Sequence, residues 1–451
     1  MQRRTALRAL SSFVPFAGVA GSALLAPGSN AMAADYRALV VVFLNGGNDG
    51  SNCLVPTDAA YTDYERARTN LALPRASLVQ LAGESAGHRF GIHPALGPLA
   101  PLYDQGRLAW IANAGPLIVP ASAGQVLDRA VPVPPFLLSH FEQVAITQGW
   151  GANEDLSGWG GRGLESLPAV LHHPMAAVSM NTSRTLVRGR QSAVTWVGED
   201  EGMQRYWGNA DFARPSSLGT QSTMRLARGQ FANAYTQEYA RTLERAFADT
   251  TTLTAAFAAG TVPTADFGGS SLAIYLRTLA QLLPVFRQMG LRRQIFLVNW
   301  GSFDTHGVQR GSEMRTQDYQ LALVGKALAG FDAANIASGV DADVATLVMS
   351  EFGRTIRPAS GGGSDHAWGN HWWLLGGPVR GGQVVGTFPS PVLGGPDDMD
   401  RGRGGRFVPT IATVQVAATL LGWLGVPPSS LDVVLPELAN FAQKSLPLMR
   451  A

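Results

Sequence analysis

Cysteine is almost missing from this 451-residue chain: Cys53 stands alone. No intrachain disulfide is possible, so stability has to come from a core or from bound ions. Cys53 itself, in "NCLVP", reads as a small buried residue. Lysine is nearly absent too, with only Lys326 and Lys444, and arginine supplies the other 33 basic residues. Net charge is equally scarce. Arg3, Arg4 and Arg8 face no acid in the first 33 residues, and beyond them 32 basic residues stand against 33 acidic ones. That balance gives no electrostatic case for nucleic acid or an anionic membrane as partner. Nor does any later apolar run have the length to span a bilayer.

What is present is 52 glycines, 27 prolines and a 46% hydrophobic share. This is globular material for a large core with long connecting loops. The first 33 residues read as an export signal. "MQRRTALRAL" is a basic start, "FVPFAGVAGSALLAP" a modest apolar segment, and Ala31-Met32-Ala33 a small-x-small cleavage site. The Arg3-Arg4 pair before Thr5, Ala6 and Leu7 resembles a twin-arginine signal, whose export machinery carries folded proteins. A periplasmic or secreted protein is expected.

"RALVVVFLNGG" (37–47) is a continuous β-branched run stopped by glycines, as in a strand buried on both faces. Further strands are expected at 107–115, 175–181, 293–300, 342–352 and 371–377. Helical spacing marks 93–106, 139–146, 317–335 and 410–425, with Ser139 and Glu142 forming a capping-box pattern. Between 223 and 290, "MRLARGQFANAYTQEYARTLERAFADT" and "SSLAIYLRTLAQLLPVFRQMG" are strongly helical by period, either an insertion over a site or a packing layer. "GGPDDMDRGRGGRF" (394–407) reads as a surface loop. Strands alternating with helices predict an α/β fold, a doubly wound and mostly parallel sheet flanked by helices.

Sites in such sheets gather beyond the carboxyl ends of strands. Three polar clusters pass that test: Asn48, Asp49 and Ser51 after the first strand, Asp304 and His306 in "FDTH", and Asp365, His366 and His371 in "SDHAWGNHWW". Imidazole and carboxylate together suit Zn²⁺, and carboxylates also suit Mn²⁺, Mg²⁺ or Ca²⁺. Asp304 and His306, at i and i+2, point to one side of an extended chain. Asp365 and His366 point to opposite sides and could serve two ions. Asp49, Asp304, His306, Asp365, His366 and His371 would suffice for a binuclear centre. The competing reading of each cluster is an ordinary polar turn.

The order of elements resembles the alkaline phosphatase-like superfamily, with its sulfatases and cofactor-independent phosphoglycerate mutases. "SDHAWGN" matches a recurrent late Asp-His motif there. More closely, "FLNGGNDGSNCLVP", "GIHPALGPLAPLYDQGRLAWI", "SHFEQ", "GWGGR", "FDTH", "SEFGRT" and "DHAWGNHWWLLGG" are similar to an exported bacterial family catalogued as domain of unknown function fifteen-oh-one. The resemblance implies one alkaline phosphatase-like domain over 34–451 and two divalent ions at the carboxyl edge of the sheet. It also implies a nucleophile at the position of Ser139, which heads a helix after the second strand. The sulfatase motif C/S-x-P-x-R is missing, which argues against a formylglycine sulfatase.

Ser139 is read either as nucleophile or as a plain N-cap, with Ser51 as competitor. His140 is read as a metal or substrate ligand, or as a residue on a helix face. Arg354, in "SEFGRT", would bind an oxyanion or pair with Glu351. The resulting expectation is an exported metal-dependent hydrolase of a phosphate or sulfate ester, a carbohydrate-linked ester among the candidates. The alternative is a non-catalytic exported binding or assembly protein that keeps a structural metal, with Trp368, Trp372 and Trp373 lining a carbohydrate surface or lying in the core.

Overall fold

The computed structural model describes residues 35–149, 156–181, 183–198 and 218–450. The expected export signal, residues 1–33, lies outside them. Within the described residues the main sheet comprises β1 (Arg37–Leu44), β2 (Leu108–Gly115), β3 (Ala177–Ser179), β4 (Thr195–Trp196), β5 (Arg293–Trp300), β6 (Val344–Met349), β7 (Asn370–Gly376), β8 (Gln383–Val385) and β9 (Ile411–Ala412). Their spatial order is β8-β2-β7-β6-β1-β5-β3-β4, and β9 also pairs with β2. Every pairing is parallel except those of β7, which runs antiparallel to both β6 and β2.

The two-residue period of the strands divides their side chains between two apolar layers. Val40, Val42, Phe296, Val298 and Trp373 face one layer. Leu39, Val41, Ile295, Leu297 and Trp372 face the other. The first layer is covered by α4 (Ser271–Gln288) and α5 (Gln317–Ser338), which pack on each other, while α3 (Ala234–Ala259) leans on α4. The second is covered by α6 (Thr413–Leu424), whose Val414, Leu420, Leu421 and Leu424 are buried there. Helices on both faces make the sheet doubly wound, as the alternation of elements predicts. Two shorter helices, α1 (Tyr61–Arg68) and α2 (His140–Gly149), stand near the carboxyl edge.

Some local expectations shift for physical reasons. The segment 93–106 is a 3₁₀ stretch, Pro94–Leu99, followed by a single α-turn, Ala100–Asp104. Pro94, Pro98 and Pro101 lack the N–H groups a continuous helix needs. Trp368, Trp372 and Trp373 are at most 1% exposed, so they build the core and line no carbohydrate surface. No helix among the described residues is long and apolar enough to cross a membrane.

The reversed direction of β7 matters most for the site. It brings the start of "NHWWLLG", and the "SDHAWG" before it, to the same edge as the carboxyl ends of β1, β5 and β6.

Candidate metal centre

The loops leaving β1 and β5 are joined by their backbones. Asn45 N–H donates to Trp300 O at 2.9 Å and Phe303 N–H to Asn45 O at 2.7 Å. Gly46 adopts φ +102°, and a Cβ there would stand 2.5 Å from the Asp304 backbone nitrogen. Glycine is therefore required for Asp304 to approach. The "SDH" loop is tied to the same place, since Ser364 N–H donates to Thr305 O at 3.0 Å and Thr355 N–H to Asp365 O at 2.9 Å.

These ties bring Asp304, His306, Asp365 and His366 together, and α2 adds His140 at its first turn. His140 Nε2 and His366 Nε2 each lie 3.4 Å from Asp304 Oδ1, and His306 Nδ1 lies 2.8 Å from it. His306 Nε2 is 3.5 Å from Asp365 Oδ1. Two triads have ligand-type atoms close enough to share an ion: His140, Asp304 and His366, and His306, Asp365 and His366. The imidazole of His366 lies tilted against Phe352, and the rings of His140 and His306 lie 4.4 and 4.6 Å from the His366 ring, centroid to centroid.

Hydrogen bonds orient the two inner imidazoles. His366 Nδ1 lies 2.6 Å from Leu138 O. A carbonyl only accepts, so Nδ1 carries the proton and Nε2 presents a lone pair. Burial lowers the pKa of His366, which favours this neutral form. His140 Nδ1 lies 2.9 Å from Glu351 Oε1. Glu351 is itself buried and also accepts from Gly46 N–H at 2.8 Å and Ser350 Oγ–H at 2.9 Å. His140 Nε2 is buried and has no hydrogen-bond partner. The Glu351 hydrogen bond raises the pKa of His140, so a cation at Nε2 would compete with a proton for that lone pair.

The acids are poised to stay charged. Burial raises the pKa of Asp304, but the hydrogen bond and charge of Arg354, with His306 and His140, outweigh it and hold the group at about 2. Asp365 is also lowered: burial opposes, while the His366 N–H and the charge of Arg406 prevail. Arg406 reaches across from the 394–407 loop, donating Nε–H to His366 O and Nη2–H to Asp365 Oδ2, both at 2.7 Å.

The other expected site residues stand elsewhere. The Asp49 carboxylate is fully buried, ion-paired to Arg68 of α1, and accepts from Gln309 Nε2 at 2.6 Å and Ser51 N–H at 3.1 Å. His371 is buried, with Nδ1 accepting from Asn113 N–H at 3.1 Å and its ring stacked on Phe388. Neither joins the two triads. Arg354 is fully buried. Its guanidinium donates to the Gly47, Ser364 and Gly46 carbonyls and to Asp304 at 2.5–2.8 Å, not to Glu351. It shapes the loops and faces no open space. Ser139 stands just before α2, and its hydroxyl donates to the Glu142 carboxylate, a side-chain pair in place of the backbone bonds of a capping box. Burial pushes the Cys53 thiol pKa up, which suits a structural residue.

Sequence reasoning left His140 undecided and passed over Glu351 as its partner and Arg406 altogether. His140 had one usable signal, its place at the head of a helix that follows a strand. Arg406 had none, because a glycine- and arginine-rich loop is a generic surface pattern.

The family described as Protein of unknown function (DUF1501) matches residues 36–394. No curated protein matches the chain. Among solved structures, the chain is similar to the lipoteichoic acid synthase LtaP from Listeria monocytogenes, with 9% identity, 90% of this chain and 77% of that one covered, and a TM-score of 0.33. The C-terminal periplasmic domain of EptC from Escherichia coli, in complex with Zn, shares 10% identity over 89% and 87%, with a TM-score of 0.35. The phosphonate monoester hydrolase from Silicibacter pomeroyi shares 9% over 88% and 75%, with a TM-score of 0.31. At such scores the likeness transfers no activity to this chain.

Proposed function

The chain belongs to the DUF1501 family, and we propose that it is an exported, metal-dependent hydrolase of an anionic phosphate or sulfate ester. One observation carries the metal: a buried, unpartnered His140 Nε2 and the His366 Nε2 lone pair converge on a single Asp304 oxygen. Arg354 already neutralises part of that carboxylate, and a cation seated among the two lone pairs and the oxygen would satisfy both imidazoles. A two-histidine, one-carboxylate set suits Zn²⁺ first among the candidate ions.

His366 offers only Nε2, since Nδ1 is engaged by Leu138. It therefore serves one ion, in the triad with His140 and Asp304. His306 and Asp365 would hold a second ion. A divalent ion held by these residues would supply Lewis acidity to an ester oxygen.

The chain's own groups do the rest. Asp304, His306 and Asp365 are about half exposed and leave the ester side open. Ser139 is the candidate nucleophile, with Glu142 placed to take its proton. The amino end of α2 favours the incoming anion. The sequence 1–33 provides the twin-arginine route outward.

The test is elemental analysis of protein purified through that route, with turnover of aryl phosphates and aryl sulfates measured with and without chelator. Stoichiometric metal and chelator-sensitive turnover are expected, and Ser139→Ala should keep the metal while losing turnover. Metal without turnover of any ester would favour the binding-protein alternative. Absence of metal would sink the centre itself.

A further inference from the structure

We propose that the segment 131–141, "VPVPPFLLSHF", is the apolar half of the substrate site. The ester held at the metal centre then carries a hydrocarbon or aromatic group that lies against Phe136 and Phe141. This rests on the ester reading above and adds the class of substrate to it.

No residue from Ala130 to Ser139 is charged. Yet Phe136 is 72% exposed and Phe141 83%, with Val133 also open to solvent. Soluble proteins seldom leave such a run uncovered without a use for it. The run is also strained. Phe136 has φ 52° and Leu138 φ 72°, a left-handed region that bulky side chains avoid and that tends to persist where function demands it. The strain is anchored at the metal centre. Leu138 O accepts from His366 Nδ1, Leu138 N–H donates to Gln143, and Phe141 directly follows His140 in α2. The apolar lip and the ligand cluster are thus one continuous piece of chain.

The same continuity points to substrate over a second copy of the protein. Leu138 O on His366 and Phe141 beside His140 tie the lip to the ligand cluster, whose Asp304, His306 and Asp365 side chains stay half exposed for a ligand. The absence of charged residues from 130–139 fits an uncharged tail, while the anionic head belongs to the metal.

The experiment uses the metal-loaded full chain and titrates methyl, hexyl and decyl phosphate, below their micelle concentrations, by calorimetry. Affinity is expected to rise by about fourfold per methylene until the lip is covered. A Phe136→Asn/Phe141→Gln variant, with asparagine chosen because it tolerates positive φ, should flatten that rise and keep its metal. Phe141→Leu alone should retain the rise. Equal affinity for methyl and decyl phosphate in the wild type would overturn the lip while leaving the ester site standing. So would an undiminished rise in the double variant, or conversion of a dimer to a monomer by it in sedimentation. Failure of every alkyl phosphate to bind would sink the ester reading, and the substrate named here with it.

Discussion

His140 Nε2 stands 3.4 Å from Asp304 Oδ1 while the opposite nitrogen of the same ring, Nδ1, is held 2.9 Å from Glu351 Oε1. A buried carboxylate behind a histidine fixes its tautomer and orientation and raises its basicity as a ligand.

Replacing Glu351 by Gln keeps an acceptor for Nδ1 and removes the charge. Metal affinity should fall by about 10–100-fold, with the fold retained. Competitive titration against a chromophoric chelator reads this directly, and wild-type affinity in the variant would show that Glu351 does not tune the site.

Asp49 and Arg68 form a buried ion pair with no exposed side-chain surface. Asp49→Asn leaves Arg68 uncompensated and should cost about 3–5 kcal/mol of stability. Metal content should remain at the wild-type level, because neither triad includes Asp49. Urea unfolding with elemental analysis separates the outcomes: loss of one ion from a stable variant would make Asp49 a ligand after all.

Arg354→Lys should both destabilise the protein, by roughly 2–4 kcal/mol, and weaken metal binding. A lysine ammonium cannot span three carbonyls and a carboxylate as the planar guanidinium does. If stability fell but metal affinity did not, Arg354 would support the loops without positioning Asp304.

Burial depresses the pKa of His371 to about 4, against about 6.5 in the unfolded chain. Between these values the unfolded state binds more protons. The stabilisation from neutral His371 is therefore complete above pH ~6.5 and is lost as the pH falls toward 4. The stability gap between wild type and His371→Gln should shrink over that window by on the order of 3 kcal/mol. A gap constant from pH 7 to 4, measured by denaturant unfolding, would mean the ring titrates normally.

Local chemistry made much of this protein legible. β1 and β5 were readable because continuous apolar runs ended by glycine or a polar turn have few other folded states. α6 was readable through its spacing and through Gly425, whose φ of +100° closes the helix. The Asp304–His306 and Asp365–His366 pairs stood out because two ligand types recur just past strands. Asp49 carried the same signal and has another use. Its partners Arg68 and Gln309 are 19 and 260 residues away in sequence, and no local pattern announces such a pairing.

By itself, the sequence determined the doubly wound sheet, its apolar layers and the edge where polar loops collect. These depend on period, branching and turn residues, which act over a few positions. Only the tertiary structure decided that β7 runs against its neighbours, that His140 enters the metal cluster, and that Arg354 is buried behind it. Those outcomes depend on which strands share hydrogen bonds and on which groups can be satisfied once water is excluded, and such partners lie tens to hundreds of residues apart.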